Sequence, residues 1–198
     1  SVLIHGGGGG VGTAALQLCQ WVGVTNVWST ASAGKADIIR SYDAVAIDRH
    51  NENFVEIVRS QTNGRGVDHI LDPIGGEHLK RSLSVLAQGG KLYTYGMSSA
   101  APSSKRSLWK ALKALRSRPR FDPMLMMSRN QGVFGVHMGT WIDEDVMQEQ
   151  MQNILKGIKE GALTPIIDSI YDAKDVAKAH QHIHDGKNIG KVLLKFVE

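Results

Sequence analysis

Residues 1–20 read SVLIHGGGGGVGTAALQLCQ, in which a short apolar run leads into five consecutive glycines. The apolar residues 2–4 predict a buried strand, and apolar positions four residues apart predict a helix over residues 13–22. The chain therefore places its most flexible main chain between two ordered elements. This arrangement is typical of a turn that must bring main chain close to another group.

Within this run, Gly7, Gly9 and Gly12 form a Gly-x-Gly-x-x-Gly motif between the first strand and the first helix. We expect Gly7 to make the tight turn, Gly9 to let main chain approach a pyrophosphate, and Gly12 to let helix and strand pack closely. The helix N-terminus adds free N–H groups and a positive dipole end. The motif therefore predicts dinucleotide binding, and a flexible turn without a ligand is the alternative.

Strands alternate with helices along the first two thirds of the chain, which predicts an α/β fold with a parallel sheet covered on both faces. Six strands in this order indicate a doubly wound Rossmann domain. Its predicted strands are residues 2–4, 26–30, 44–47, 69–71, 91–95 and 132–137, and its predicted helices are residues 13–22, 35–40, 54–61 and 79–86.

The pattern changes after residue 137, where a long helix over residues 144–160 is predicted. A strand over residues 166–171, a helix over 173–185 and a last strand over 192–196 follow. Because Ser1 lies directly against an apolar strand, we expect the chain to be a piece of a longer protein.

Composition excludes several classes of protein. The chain has no run of 18 apolar residues that could span a bilayer. Its single cysteine, Cys19, excludes an internal disulfide and a multi-cysteine zinc site, and it fits a reducing, cytoplasmic compartment. The formal net charge of +4 is too small to indicate a polyanionic partner.

The choice of dinucleotide depends on the end of the second strand, where an NAD site carries an acid that accepts the ribose 2′-hydroxyl. Residues 29–35 read STASAGK and contain no acid. Ser32 and Lys35 could instead bind a 2′-phosphate, and Arg49 could close over the same group with a charge-assisted contact. These residues predict NADPH as the cofactor, the alternative being that Lys35 and Arg49 are simply solvated.

Several stretches in order resemble the zinc-independent quinone oxidoreductase branch of the medium-chain dehydrogenase/reductase superfamily: VLIHGGGGGVG, GRGVDHILDPIGG, GGKLYTYG and NIGKVLL. The segment from LYTYGMSS to GVFGVHMG is most similar to its vesicle amine transport protein-like group. The resemblance implies an N-terminal GroES-like catalytic domain that this chain lacks. It also implies an NADP-binding Rossmann domain over residues 1–137 and a segment, 138–198, that returns to the catalytic domain.

The resemblance also implies which residues contact the cofactor. Gly9, Gly10 and Val11 would contact the pyrophosphate, and Ser32 and Lys35 the 2′-phosphate. Arg49 stands where relatives often have tyrosine, so its role is inferred. The remaining implied contacts are Gly96, Met97 and Ser98 beside the nicotinamide ribose, main-chain groups of Phe134, Gly135 and Val136 at the carboxamide, and Asn188 reaching back to the cofactor.

The implied chemistry is hydride transfer from NADPH to a quinone or an α,β-unsaturated carbonyl compound. We assign no catalytic residue, because the family's substrate-orienting groups lie mainly in the missing N-terminal half, and the fragment alone is expected to lack turnover. Two alternatives remain open: a membrane-associated or regulatory NADPH-binding protein with little reductase activity, and an enoyl reductase cut from a larger synthase.

Residues 103–120, SSKRSLWKALKALRSRPR, contain seven basic residues and no acid. They predict a basic amphipathic helix that could contact anionic membranes peripherally, the alternative being packing on the catalytic domain. No RNA-reading motif accompanies the segment, which disfavours a nucleic-acid partner. The sixth strand, residues 132–137, is the predicted open edge of the sheet, and relatives pair this edge in a homodimer.

Three further features have ordinary structural interpretations. His180 and His184 are four residues apart on a predicted helix, but no third ligand is visible, so we predict no metal site. Cys19 is interpreted as a buried small residue and not as a nucleophile. Asp72, before Pro73, is interpreted as part of a strand-end turn that shapes the cofactor crevice.

Overall fold

The computed structural model describes residues 1–98 and 120–196. Within these ranges, eight strands and seven α-helices alternate over most of the chain, as the sequence predicts. The strands are β1 Val2–His5, β2 Val27–Ala31, β3 Val45–Asp48, β4 Val67–Asp72, β5 Leu86–Thr94, β6 Gly132–Gly135, β7 Ile167–Asp172 and β8 Lys191–Lys195; the helices are α1 Gly10–Trp21, α2 Ala36–Arg40, α3 Phe54–Gln61, α4 His78–Leu83, α5 Pro123–Arg129, α6 Glu144–Lys159 and α7 Val176–His184.

Six of the strands form one sheet in the order β3-β2-β1-β4-β5-β6, and β7 pairs with β8 in a second sheet. The pairings described residue by residue are all parallel. This strand order is that of the Rossmann fold, so the predicted fold class is confirmed. Strand β6 lies at the end of the order, where the sequence places the sheet's open edge.

By its contacts the chain divides into two compact units. The first unit consists of Ser1–His5 and Asn51–Trp141, and the second of Gly6–His50 and Ile142–Glu198. In the first unit, Leu3, Ile4, Ile70 and Leu92 are completely buried on β1, β4 and β5. In the second, the fully or almost fully buried apolar side chains include Leu16, Ile39 and Ile47. Each unit therefore has an apolar core of its own.

Capping residues account for several helix starts. Asn53 accepts from the N–H of Val55 at the start of α3, and Asp143 accepts from the N–H of Val146 at the start of α6. No element is predicted over Pro123–Arg129, yet α5 forms there. Asp122 caps this helix, and Pro123 occupies its first turn, where a missing N–H costs nothing.

The boundaries between α4 and β5 in the first unit are predicted wrongly. The predicted helix over residues 79–86 ends at Leu83, and β5 starts at Leu86, so Gly89 and Gly90 lie inside a strand instead of in a turn before it. Gly89 has φ +77°, and the register between β4 and β5 shifts near Val67. The two glycines therefore mark an irregularity in the strand, which is a common use of glycine in sheets.

The predicted sixth strand over residues 132–137 ends at Gly135. All but the last residue of the basic segment 103–120 lies outside the described residues, so its predicted helix is not tested. Among the helices of the described ranges, each is too short or too polar to cross a lipid bilayer.

Candidate functional site

The glycine-rich connection between β1 and α1 is built from main-chain contacts that exclude side chains. A Cβ on Gly12 would lie 2.5 Å from the Cα of Gly7 and closer still to the carbonyl oxygen of Gly6. A Cβ on Gly7 would overlap the side chain of Ser29 on β2. Gly12 therefore packs against the main chain of Gly6 and Gly7, and the left-handed residue of the turn is Gly6, with φ +76°.

The N-terminus of α1 has no side chain that satisfies its first N–H groups. Gly9 is the N-cap residue and makes no side-chain cap, and the first turn contains no acid. The first N–H groups of a helix have no intrahelical partner, and they carry the positive end of the helix dipole. Gly10 and Val11 lie in this turn, and Val11 is exposed. The predicted pyrophosphate contacts are thus main-chain groups at an uncapped helix end.

Residues near the C-terminus lie against the same glycines. Gly190 forms a parallel bridge with Gly9, and its N–H donates to the carbonyl oxygen of Gly8 at 3.0 Å. A Cβ on Gly10 would lie 2.5 Å from Cδ of Lys191, so the lysine side chain covers that glycine. Sequence reasoning missed Lys191, because nothing in the local pattern shows which residues the returning chain places on the glycines.

Asn188 lies in the same returning segment, as the resemblance implies. Its side-chain amide donates to the carbonyl oxygen of Gly190 at 2.8 Å, which closes a small turn. Its own carbonyl oxygen accepts a hydrogen bond from Nζ of Lys35. In this structure Asn188 therefore acts on its own turn and on Lys35.

Two cations of the second unit influence each other. The side chain of Lys35 lies along Gly8, where a Cβ would be 2.5 Å from its Cδ. Burial lowers the pKa of Lys35, the nearby Arg49 lowers it further, and Asp168 acts in the opposite direction. An anion beside Lys35 would oppose both effects, because an opposite charge favours the charged form of an amine. Ser32 lies next to them, at the N-cap of the short 3-10 helix Ala33–Lys35.

Strand β2 ends at Ala31, which carries no acidic group for a ribose hydroxyl. Opposite it in register, β3 ends at Asp48, whose Oδ1 accepts from the N–H of His50. Arg49 follows directly, and its Nε donates to the ring of His50 at 3.1 Å. The end of β2 therefore carries no acid of its own, and Asp48 lies opposite it in register.

The first unit contains an open cavity of about 590 Å³ at the ends of β5 and β6. Four of the predicted nicotinamide-end residues line it: Gly96, Met97, Gly135 and Val136. Ser98 and Phe134 do not line it. The N–H of Val136 donates to the carbonyl oxygen of Thr94 at 2.9 Å. The other lining residues are Thr94, Tyr95, His137, Thr140 and Trp141.

A turn at the end of β4 packs behind this cavity. The N–H of Ser98 donates to the carbonyl oxygen of Pro73 at 3.1 Å, and a Cβ on Gly96 would lie 2.6 Å from the same oxygen. Gly75 has φ +74° and also approaches Gly96 closely. Asp72 anchors the turn, because its Oδ1 accepts from the N–H groups of Ile74 at 2.7 Å and Gly75 at 3.0 Å.

Asp72 belongs to a buried polar cluster that sequence reasoning did not predict. Its Oδ2 lies 3.0 Å from Nδ1 of His78 and accepts from the hydroxyl of Ser82 at 2.9 Å, and that hydroxyl lies 3.2 Å from Nε2 of His5. Burial opposes ionisation of Asp72, but its hydrogen bonds prevail and lower its pKa to about 2. Burial lowers the pKa of His5 to about 3, so this ring is neutral at pH 7.

His5, Asp72 and His78 each offer a ligand atom, and these atoms lie within 4.8 Å of one another. Two imidazoles and a carboxylate are suitable donors for a divalent transition metal. Each close contact in the cluster is nevertheless a possible donor–acceptor pair, and no buried side-chain N or O atom lacks a partner in the described parts of the chain. The cluster is therefore satisfied by hydrogen bonds, and it does not require a cation.

The structure also shows the surroundings of Cys19, His182 and Tyr95. Cys19 is half-buried instead of fully buried, and burial raises the pKa of its thiol, which disfavours a nucleophilic role. His182, which lies between His180 and His184 on α7, pairs with Asp168 at 2.7 Å. Burial, with a contribution from Asp72, raises the pKa of Tyr95 to about 12.

Comparisons with known proteins identify the family of the chain. The sequence matches the zinc-binding dehydrogenase family over residues 42–194. It is 34% identical over 197 residues to the synaptic vesicle membrane protein VAT-1 homolog of Rattus norvegicus, covering 98% of this chain and 48% of the relative. It is 29% identical over 203 residues to the reducing polyketide synthase rdc5 of Metacordyceps chlamydosporia, covering 99% of this chain and 8% of the relative.

Among solved structures, the Escherichia coli quinone oxidoreductase complexed with NADPH has a TM-score of 0.79 and 23% identity, covering 98% of this chain and 56% of that one. At this identity the likeness shows the fold. The chain spans about half the length of the VAT-1 relatives it matches.

Proposed function

Because this chain belongs to the zinc-binding dehydrogenase family, we propose that it is the NADPH-binding part of an oxidoreductase. The observation that carries the choice of cofactor is the pair Lys35 and Arg49, two neighbouring cations at the end of a strand that carries no acid. An NAD site places a carboxylate there, whereas a 2′-phosphate requires positive charge.

The glycine segment supports the pyrophosphate end of the proposed site. Gly9 has no atom closer than 3.4 Å to the position of a Cβ, so a phosphate oxygen can approach its main chain. The uncapped N–H groups of Gly10 and Val11 would donate to the pyrophosphate at the positive end of α1. The side chain of Lys191, which covers Gly10, would add a cation to the same group.

For the nicotinamide end we propose the cavity of the first unit. Gly96, Met97 and Ser98 would lie beside the ribose, and the main chain of Phe134, Gly135 and Val136 would hold the carboxamide. Because the N–H of Val136 is already paired, we propose that its carbonyl oxygen accepts from the carboxamide NH₂. When bound, NADPH supplies the hydride for a quinone or an α,β-unsaturated carbonyl compound, and the protein supplies orientation.

A titration with NADPH and NADH tests the proposal. NADPH is expected to bind at least about tenfold more tightly, which corresponds to about 1.4 kcal/mol from contacts to one phosphate. The Lys35→Gln variant should lose most of this preference, while Lys178→Gln, which removes an exposed lysine paired with Asp175, should keep it. Equal affinities of the wild-type chain for the two coenzymes would refute the choice of NADPH.

A second candidate is an enoyl reductase within a larger synthase, and the match to a reducing polyketide synthase over 99% of this chain favours it. Both candidates reduce an activated double bond with the same cofactor, so the substrate separates them. The full-length protein should be assayed with quinones, enones and enoyl thioesters. Turnover confined to enoyl thioesters would favour the synthase, and turnover of free quinones would favour the stand-alone reductase.

The remaining parts of the proposal concern organisation. We propose that residues 1–137 form the NADP-binding domain and 138–198 return to a catalytic domain. We also propose a homodimer through β6 and zinc-independent chemistry at a cytoplasmic location. The name of the rat relative supports peripheral membrane contact, or a regulatory role, as the alternative, with the basic segment 103–120 as the contact. Light scattering and co-sedimentation with anionic vesicles would test the dimer and the membrane contact.

A further inference from the structure

Each compact unit contains an aspartate that pairs with a histidine and also fixes the main chain of a loop. In the first unit these residues are Asp72 and His78, and in the second they are Asp168 and His182. The side chain of Asp72 is completely buried, and that of Asp168 is 17% exposed. Burying a charge as completely as that of Asp72 costs free energy, whereas Asp168 as a residue is exposed. In both cases the hydrogen-bond partners show which segments the carboxylate connects.

Asp72 divides its two oxygens between two tasks. Oδ1 accepts from the N–H groups of Ile74 and Gly75, and Oδ2 accepts from the hydroxyl of Ser82 and lies 3.0 Å from Nδ1 of His78. Both partners of Oδ2 lie on α4, so the carboxylate ties the turn after β4 to this helix. The orientation of the turn therefore depends on an ionised side chain with four hydrogen-bond contacts.

The turn after β4 also fixes residues 96–98. The carbonyl oxygen of Pro73 accepts from the N–H of Ser98 at 3.1 Å, and the missing side chain of Gly96 lets the two segments touch. A Cβ on Gly75 would lie 3.1 Å from the carbonyl oxygen of Gly96. Because the contacts are between main-chain atoms, a rotation of the turn moves residues 96–98 with it. These are residues of the proposed nicotinamide end.

Asp168 has a similar arrangement in the second unit. Its Oδ1 accepts from the N–H of Ile189 at 2.7 Å, and its Oδ2 lies 2.7 Å from Nε2 of His182. Ile189 lies between Asn188, whose carbonyl oxygen accepts from Nζ of Lys35, and Gly190, whose N–H donates to Gly8. The carboxylate therefore holds the segment that seats Lys35 and contacts the glycine turn.

We propose that Asp72 and Asp168 are positioning residues: within the first unit Asp72 holds residues 96–98 of the proposed nicotinamide end, and within the second unit Asp168 holds the segment that seats Lys35 at the proposed 2′-phosphate end. The inference rests on the proposed function, and it adds a role for two carboxylates that do not themselves contact the cofactor. The inference requires that loss of the Asp72 charge weakens binding at the nicotinamide end, and that loss of the Asp168 charge weakens binding at the 2′-phosphate end.

The test uses Asp72→Asn and Asp168→Asn, with Asp172→Asn as the control, because Asp172 is an exposed aspartate on the same strand as Asp168. Asparagine keeps the shape of the side chain but removes its charge and turns one acceptor into a donor. The ligands are NADPH and adenosine 2′,5′-bisphosphate, which carries the 2′-phosphate but no nicotinamide. Dissociation constants are measured by isothermal titration calorimetry.

Asp72→Asn is expected to weaken the binding of NADPH about tenfold and that of the bisphosphate less than about twofold. The reason is that a charge-assisted hydrogen bond at one loop affects only a ligand that reaches this loop. Asp168→Asn is expected to weaken the binding of both ligands by the same factor of about ten. The control should change neither. If Asp72→Asn fails to fold, Ser82→Ala removes one donor to Asp72 and should show the same pattern, with about a threefold effect on NADPH.

Amide hydrogen exchange gives a readout that needs no ligand. The N–H of Ser98 should exchange faster in Asp72→Asn and that of Gly190 faster in Asp168→Asn, with the other loop unchanged. Equal weakening of both ligands by Asp72→Asn, or unchanged exchange at Ser98, would overturn the inference while the proposed function stands. A wild-type chain that binds neither ligand would overturn both.

Discussion

Replacing Gly12 with alanine should destabilise the chain, because the structure leaves no room for a methyl group at this position. The added Cβ would lie 2.5 Å from the Cα of Gly7 and 2.7 Å from its carbonyl carbon. Both neighbours are main-chain atoms, so no change of rotamer can relieve the overlap. The connection between β1 and α1 would have to move, and with it the N-terminus of the helix.

The expected size follows from two opposing effects. Overpacking a well-packed site costs typically about 1–3 kcal/mol, and a main-chain overlap belongs at the upper end of that range. Alanine is better than glycine in a helix by about 1 kcal/mol, and Gly12 lies in the first turn of α1. The net loss should therefore be about 2 kcal/mol in the free energy of unfolding, accompanied by weaker NADPH binding.

Urea unfolding followed by circular dichroism measures this loss. Gly34→Ala is the matched control, because a Cβ there would meet no atom within 4 Å, and its stability should stay within about 0.5 kcal/mol of the wild type. A Gly12→Ala variant as stable as the wild type, or more stable, would refute the reasoning, since helix propensity would then outweigh the overlap.

Two further predictions concern buried polar side chains. The free energy of unfolding should fall by up to about 1.4 kcal/mol per pH unit as the pH decreases from 6.5 to 5, because the unfolded chain protonates His5 whereas the folded chain, with a pKa of about 3, does not. In His5→Gln, the dependence of the unfolding free energy on pH, from urea titrations at pH 7, 6 and 5, should be smaller by the equivalent of about one proton. An unchanged pH dependence would contradict this prediction. Gln17→Leu should cost about 2 kcal/mol, because the amide of Gln17 both donates to and accepts from the main chain of Thr164. The exposed Gln20→Leu should cost less than about 0.5 kcal/mol in the same unfolding assay, and equal losses in the two variants would argue against that contact.

The sequence predicts the fold well where local patterns decide it. The order of strands and helices follows from apolar periodicity, and the glycines between β1 and α1 mark the connection. Gly12 packs directly against the main chain of Gly6 and Gly7, where only glycine leaves enough room. The left-handed residue was not identified, because any of five consecutive glycines can adopt φ near +76°.

The sequence does not predict features that depend on contacts between distant residues. Gly89 and Gly90 suggest a turn from sequence, because the pattern does not show that β5 accommodates extra residues at this point opposite β4. His5 and Ser82 are 77 residues apart, and Lys191 covers Gly10 from the far end of the chain. Polar residues at strand ends are ordinary in isolation, and only the fold brings them to one buried cluster.

Two polar side chains that are costly to bury, Asp72 and Lys35, lie beside segments with a proposed ligand role. Asp72 remains ionised with no exposed surface, and Lys35 is partly desolvated beside Arg49. A fold under selection for stability alone gains nothing from either arrangement, because apolar side chains of similar size are usually at least as stable. A bound phosphate would offset the free-energy cost of partly burying Lys35, because it would interact with Lys35 and Arg49 at once. The same ligand would not contact Asp72, whose charge is already matched by four hydrogen-bond contacts. Under the proposed function the two costs therefore have different origins: the cost at Lys35 would be offset by the ligand, and the cost at Asp72 is offset by the hydrogen bonds that hold the loop.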